Sequence, residues 1–305
     1  MLRFLVGWVY LFRQFVSCSI ALYLHSMTKL LSIAAILLFS CAAGPDRAAR
    51  KNSQFGYVAV HKLDVETAVN EGVASKLKAR SVLSLPAVRF VIVEARYTNV
   101  GWGDLSSEGY PIYKWAFRHG DDSRSLRPPD YILRHEIGHD LFVRYLVPST
   151  RGGQYGGDAP DWLDEMAAVA FEGTAQRKDR RRAAAMFART STLIPLARFL
   201  TMTHPELSGS LPPVSPEETF RVTQSSSEDT LRFYSTVQAF YDFLVIRTKS
   251  TAIVAELAAA FHRKEPLDRW LLNRAGFVNR EDNLDKLNDD FLTWIASDER
   301  YILDR

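Results

Sequence analysis

Two histidines one helical turn apart constrain this chain more than any other feature. His135 and His139 flank Glu136, Ile137 and Gly138. Around them Ile132, Leu133, Ile137, Leu141, Phe142 and Tyr145 recur at the spacing of one apolar helix face, which predicts a helix over 131–146 that stops before Pro148. Residues i and i+4 lie on the same face, so both imidazoles reach a common point, the arrangement suited to one zinc ion. Glu136 projects to the side, where its carboxylate can take a proton from a metal-activated water and pass it to a leaving amine. With seven histidines in 305 residues, such a pentapeptide arises by chance on the order of 0.01 times. Gly138 costs the helix roughly 1 kcal/mol relative to alanine, a cost that is tolerable where another element approaches closely.

Catalytic zinc normally takes three protein ligands and keeps one position open, so a second element must bring a third ligand. The best source is the stretch from Ala159 to Ala168, Ala-Pro-Asp-Trp-Leu-Asp-Glu-Met-Ala-Ala. Asp161 is placed to cap a helix starting there, which puts Glu165 in its second turn with Trp162 and Met166 available to pack. Asp164 and Asp158 are the other carboxylates in range.

These two segments resemble the gluzincins, the zinc metallopeptidases of thermolysin and M1 aminopeptidase type, in which a Trp-Leu-x-Glu helix follows the HExxH helix. The resemblance implies a zincin-type metallopeptidase domain in which His135, His139 and Glu165 hold Zn2+ and Glu136 is the catalytic base. Here 25 residues lie between His139 and Glu165, more than is usual in the family, and the glycine-rich stretch 151–157 takes up the excess as a loop. The later run from Phe233 to Leu244 is similar to the M1-type helix whose tyrosine steadies the oxyanion, which implies that role for Tyr234. Phe233, Val237, Phe240, Tyr241 and Leu244 also form an ordinary apolar stripe. No Gly-x-Met-Glu-Asn element precedes the HExxH helix, so the resemblance is to a reduced metallopeptidase domain and implies peptide or protein substrates. The contrasting reading is a catalytically inactive scaffold or binding module of the same fold at the cell envelope. An intact base argues for the enzyme.

The rest of the chain reads as α+β, a small strand-containing part over 55–129 followed by a mainly helical part over 130–305. Strand patterns occur at 57–60, 88–93 and 112–117, and a helical pattern at 65–79. Further helices are expected over 161–172, 180–190, 228–248, 251–261 and 284–297. Residues 1–41 read as a leader. Met27-Thr28-Lys29, the apolar run 30–39 and Ser40-Cys41-Ala42-Ala43 have the parts of a secretory signal, with the start of the protein placed at Met27, and the ending resembles a lipobox with Cys41 as the lipidated residue. Residues 42–54 read as a tether. The expectation is export to the envelope, with the membrane as a partner through the leader or a lipid.

Charge supports that division. The formal net charge is +3, and Arg3, Arg13 and Lys29 of the leader account for all of it, since 38 basic residues less those three leaves 35 against 35 acidic. A balanced body argues against a nucleic-acid partner. The run Arg177-Lys178-Asp179-Arg180-Arg181-Arg182 reads as a solvated helix face with affinity for anionic headgroups. His61, His119, His204 and His262 stand at no metal spacing and read as surface or core residues. Glu172, seven residues after Glu165, shares its helix face and is a candidate to support a ligand.

Overall fold

The computed structural model describes residues 48–94, 110–117, 132–150, 157–204, 227–277 and 283–302. The leader with Cys41, His119 and most of the glycine-rich loop lie outside the described residues. The architecture is α+β, as the patterns predict: a four-stranded mixed sheet followed by helices.

The sheet contains β1 (Ala49–Ser53), β2 (Gly56–Val60), β3 (Phe90–Glu94) and β4 (Ile112–Trp115), in that spatial order. β1 runs antiparallel to β2, while β2, β3 and β4 are parallel, with Tyr57 opposite Val91 and Ile92 opposite Tyr113. Parallel neighbours need a crossover, and α1 (Val65–Val82) supplies it between β2 and β3. All five residues of β3 are buried, and residues 90–93 read as an unbroken apolar run and not as an alternation. Phe55 stacks on Phe90 with ring centroids 4.9 Å apart. Gly56 has φ +139°, and a Cβ there would stand 2.1 Å from the Phe90 carbonyl oxygen, so only glycine fits at the start of β2.

The tether expected over 42–54 is in part this first strand. Ala49-Arg50-Lys51-Asn52-Ser53 has no apolar pattern, but an edge strand needs only its backbone to pair, and exposed Arg50 and Lys51 discourage a further chain from adding to it.

The strands and α1 as far as Val73 form one compact unit. Residues 74–88 and the chain from Arg134 onward form a second. The second unit is helical, with α2 (Ile132–Tyr145), α3 (Asp161–Phe171), α4 (Thr174–Arg189), a one-turn α5 (Leu196–Phe199), α6 (Ser227–Thr248), α7 (Ile253–His262), α8 (Leu267–Arg274), α9 (Leu284–Ser297) and a short α10 (Glu299–Ile302). α6 is the spine on which α3, α4, α7 and α9 pack. Phe199 fills the space between Trp162, Phe233 and Phe240, with centroid separations of 6.1, 5.8 and 6.0 Å. Among the described residues no helix is long and apolar enough to cross a membrane.

Only part of the basic run forms the solvated face expected of it: Lys178, Asp179 and Arg182 are exposed, while three arginines turn inward. α4 begins at Thr174 and not near residue 180, because the Gln176 side chain accepts from the Gly173 N–H at 3.2 Å and starts the helix earlier. Arg177, Arg180 and Arg181 then fall at i, i+3 and i+4, on the face that continues through buried Ala184 and Phe187. Arg177 Nη2 donates to Asp242 Oδ1 at 2.7 Å, and Arg181 Nε donates to Asp242 Oδ2 at 2.8 Å. The Tyr301 hydroxyl donates to the same oxygen at 2.9 Å, fastening α10 to α6. Asp242 is 3% exposed. Its burial works to raise the carboxyl pKa, but Arg181 and Arg177, with Tyr301, hold it below the usual range.

A carboxyl whose folded pKa is depressed contributes stability above its unfolded value of about 4, and loses that contribution as pH falls through the lower folded value. Asp242→Asn is therefore expected to cost about 3–5 kcal/mol in urea denaturation at neutral pH, because it leaves two partly buried guanidiniums without their carboxylate. The gap from wild type should narrow below about pH 4. A loss under about 1 kcal/mol at neutral pH would show that the network does not bear on the fold.

Candidate metal centre

Every residue of α3 from Trp162 to Phe171 is buried. A helix hidden on all sides is ordinarily apolar throughout, yet this one carries Asp164 at 1% and Glu165 at 0% exposure, with Glu172 at 2% just beyond its end. Burying a carboxylate costs several kcal/mol unless a cation answers it. Answering groups come from α2.

Gly138 brings the two helices together. A Cβ at that position would stand 2.9 Å from Ala168 Cα and 3.2 Å from both the Ala167 carbonyl oxygen and Phe171 Cγ. The backbones of α2 and α3 thus meet where a side chain would separate them, and the imidazoles on either side of Gly138 reach the Glu165 carboxylate. His135 Nε2 and His139 Nε2 are 3.1 Å apart. Glu165 Oε2 stands 3.7 Å from the first and 3.6 Å from the second. Metal bonds of about 2.0–2.1 Å at tetrahedral angles place ligand atoms about 3.3 Å apart, so the donor set fits one ion. His135, His139 and Glu165 together can hold a metal.

Each imidazole is fixed from behind. His135 Nδ1 meets Glu172 Oε1 at 2.8 Å, and His139 Nδ1 meets Asp164 Oδ2 at 2.8 Å. A carboxylate on Nδ1 sets the tautomer that turns Nε2 toward the metal and raises the basicity of the ligand. Glu172 thus supports a ligand, as its position seven residues after Glu165 suggested. Asp164 holds His139 from behind and stands outside the His135, His139 and Glu165 group. Asp158 accepts from the backbone N–H of Thr150 at 3.1 Å and from the Thr150 hydroxyl, closing the loop between α2 and α3. Arg180 completes the back of the site: its Nε donates to Glu172 Oε2 at 2.7 Å, its Nη2 to Oε1, and its guanidinium lies 4.3 Å from the Tyr234 ring centroid.

The electrostatics call for a cation. Burial works to lower the His139 pKa, but Asp164 and Glu165, with Glu136 beyond them, outweigh it and push the pKa up to about 10. Burial likewise works to raise Glu172, while Arg180 and His135 hold it below the usual range. The negative charge that draws a proton onto an otherwise desolvated imidazole also favours a divalent ion at the same nitrogens. Glu136 is half-buried on α2 beside this group.

Tyr234, on α6, is 7% exposed and belongs to the site. Its hydroxyl lies 3.2 Å from His204 Nε2 and donates to Glu165 Oε1 at 3.5 Å. His204, set aside in the sequence as a core or surface histidine, is wholly buried at this site, with Nε2 3.5 Å from Glu165 Oε1. No spacing in the sequence links His204 to Glu165. Asp161 does not cap α3, whose N-cap is Pro160. It is the first helical residue, and its carboxylate accepts from the backbone N–H of His204 at 2.7 Å.

Replacing Gly138 with alanine tests the close approach. On an open helix Gly→Ala stabilises by about 1 kcal/mol, whereas overpacking a backbone contact costs about 1–3 kcal/mol. The contacts at 2.9 and 3.2 Å predict a net loss on thermal denaturation, together with weaker metal uptake as α2 and α3 separate. A stabilised variant would contradict this packing. Comparisons with protein-family models, curated proteins and solved structures find no match to this chain. What stands is a buried His-His-Glu group able to hold a metal, in a mainly helical unit.

Proposed function

We propose that this chain is a zinc-dependent peptidase of gluzincin type, exported to the cell envelope and held there through its leader or a lipid on Cys41. The observation that carries this reading is the convergence of His135, His139 and Glu165 on one point, with each imidazole backed by a buried carboxylate. Two nitrogens and one carboxylate oxygen are the donor set of hydrolytic zinc, with a position left for substrate or water. Zinc bound there supplies Lewis acidity, polarising a scissile carbonyl and lowering the pKa of water to about 7.

The side chains divide the remaining work. Glu136 lies on the ligand helix between the two histidines and half-exposed, so its carboxylate takes the proton of the attacking water and returns it to the departing amine. Asp164 and Glu172 keep both imidazoles in the tautomer that leaves Nε2 available. The Tyr234 hydroxyl, at the edge of the ligand group, donates to Glu165 Oε1 in the substrate-free site and turns its one proton to the negative charge developing on the carbonyl oxygen. Substrates are peptides or proteins. A balanced body charge gives no purchase for nucleic acid.

Glu136→Gln separates chemistry from metal binding. Against a fluorogenic peptide library the variant should lose about 10²- to 10⁴-fold in zinc-dependent cleavage, while metal content by mass spectrometry stays at the wild-type level. Full activity in the variant would remove Glu136 from the mechanism. Absence of any chelator-sensitive cleavage by wild type would favour a scaffold over an enzyme.

A further inference from the structure

A carboxylate offers a metal two oxygens, and what surrounds the second decides how it binds. In this chain the two oxygens of Glu165 face different partners. Oε2 faces the two imidazole nitrogens at 3.7 and 3.6 Å. Oε1 faces the Tyr234 hydroxyl and His204 Nε2, each at 3.5 Å, and those two groups are themselves 3.2 Å apart. Three polar atoms thus close a triangle on the side of Glu165 away from the histidine ligands.

The structure also shows what holds that triangle. His204 belongs to no helix. Its backbone N–H is fixed by the Asp161 carboxylate at 2.7 Å, and Asp161 lies one turn before Glu165 on α3. Its ring stands edge-on to Phe233 and Tyr234, with centroids 5.0 and 5.4 Å away. The backbone anchor and the aromatic packing on α6 leave the ring little freedom to turn away from Glu165. With Glu165 and His204 both wholly buried, polar contacts to the carboxylate carry far more weight than they would in water.

We propose that His204 is a positioning residue: acting with Tyr234, it holds Oε1 of Glu165, so that the carboxylate presents Oε2 alone to the metal. The proposal rests on the reading that His135, His139 and Glu165 bind a metal ion. It goes beyond that reading by assigning the coordination mode of Glu165 to a histidine outside the ligand set. With Oε1 released, the carboxylate is able to turn and offer both oxygens, closing the position that substrate or water needs.

The test uses the full chain loaded with zinc, and separately with cobalt(II), whose visible spectrum reports coordination number. His204→Phe keeps the ring's packing and removes its nitrogens, whereas His204→Gln keeps an amide able to reach the carboxylate. His204→Phe should weaken zinc binding about 10- to 100-fold in chelator competition, and should convert intense four-coordinate cobalt bands to the weaker bands of a higher coordination number. His204→Gln should recover most of both. Should His204→Phe fail to fold, Tyr234→Phe removes the other contact to Oε1 and should move zinc affinity and the cobalt spectrum in the same direction. Unchanged affinity and an unchanged spectrum in a folded variant overturn the proposal while leaving the metal reading intact. A wild-type chain that binds neither ion overturns the metal reading and this proposal with it.

Discussion

Buried negative charge on α3 is the constraint from which the helical unit is built. Asp164, Glu165 and Glu172 all sit at 2% exposure or less on or beside a helix whose other residues from Trp162 onward are apolar and buried. No helix would carry three such carboxylates into a core for packing alone, since each costs several kcal/mol to desolvate and water is not there to answer it. Each therefore fixes the position of a partner: Asp164 fixes His139, Glu172 fixes His135 and Arg180, and Glu165 lies between both imidazoles on one side and Tyr234 and His204 on the other. The close approach at Gly138 is the steric counterpart of this arrangement, because the imidazoles reach Glu165 only if the two helix backbones touch.

One helix face ties the site to the fold. On α4, Arg180 turns toward Glu172 and the Tyr234 ring, while Arg177 and Arg181 on either side of it hold Asp242 on α6. The cations that brace the back of the metal group thus share a face with the cations that register α4 on α6. Asp242 in turn fastens Tyr301 of α10. Rigidity at the ligands and stability of the helical unit are consequently linked through three arginines, the arrangement expected where ligand atoms must be held within a fraction of an ångström.

Much of this was legible in the sequence, and the rest was hidden for identifiable reasons. The i, i+4 histidines and the Trp-Leu-Asp-Glu helix are local patterns, and local patterns survive without tertiary information. The same holds for Glu172, whose spacing of seven residues keeps it on the Glu165 face. In the arginine run composition alone suggests solvent, which Lys178 and Arg182 do meet, but the i, i+3, i+4 spacing of Arg177, Arg180 and Arg181 with Ala184 and Phe187 marks a second, buried face. β1 escaped because an edge strand satisfies its backbone without an apolar pattern. His204 could not be found at all: it lies 39 residues beyond Glu165, outside any helix, and only the fold brings it to Oε1.

X-ray absorption at the zinc edge of the purified, dialysed chain tests the central claim most directly. The account predicts about one zinc per chain, a first shell of nitrogen and oxygen at about 2.0–2.1 Å with no sulfur, and the outer-shell scattering of two imidazoles. A chain that retains no stoichiometric zinc, or a spectrum with fewer than two imidazoles, would contradict it.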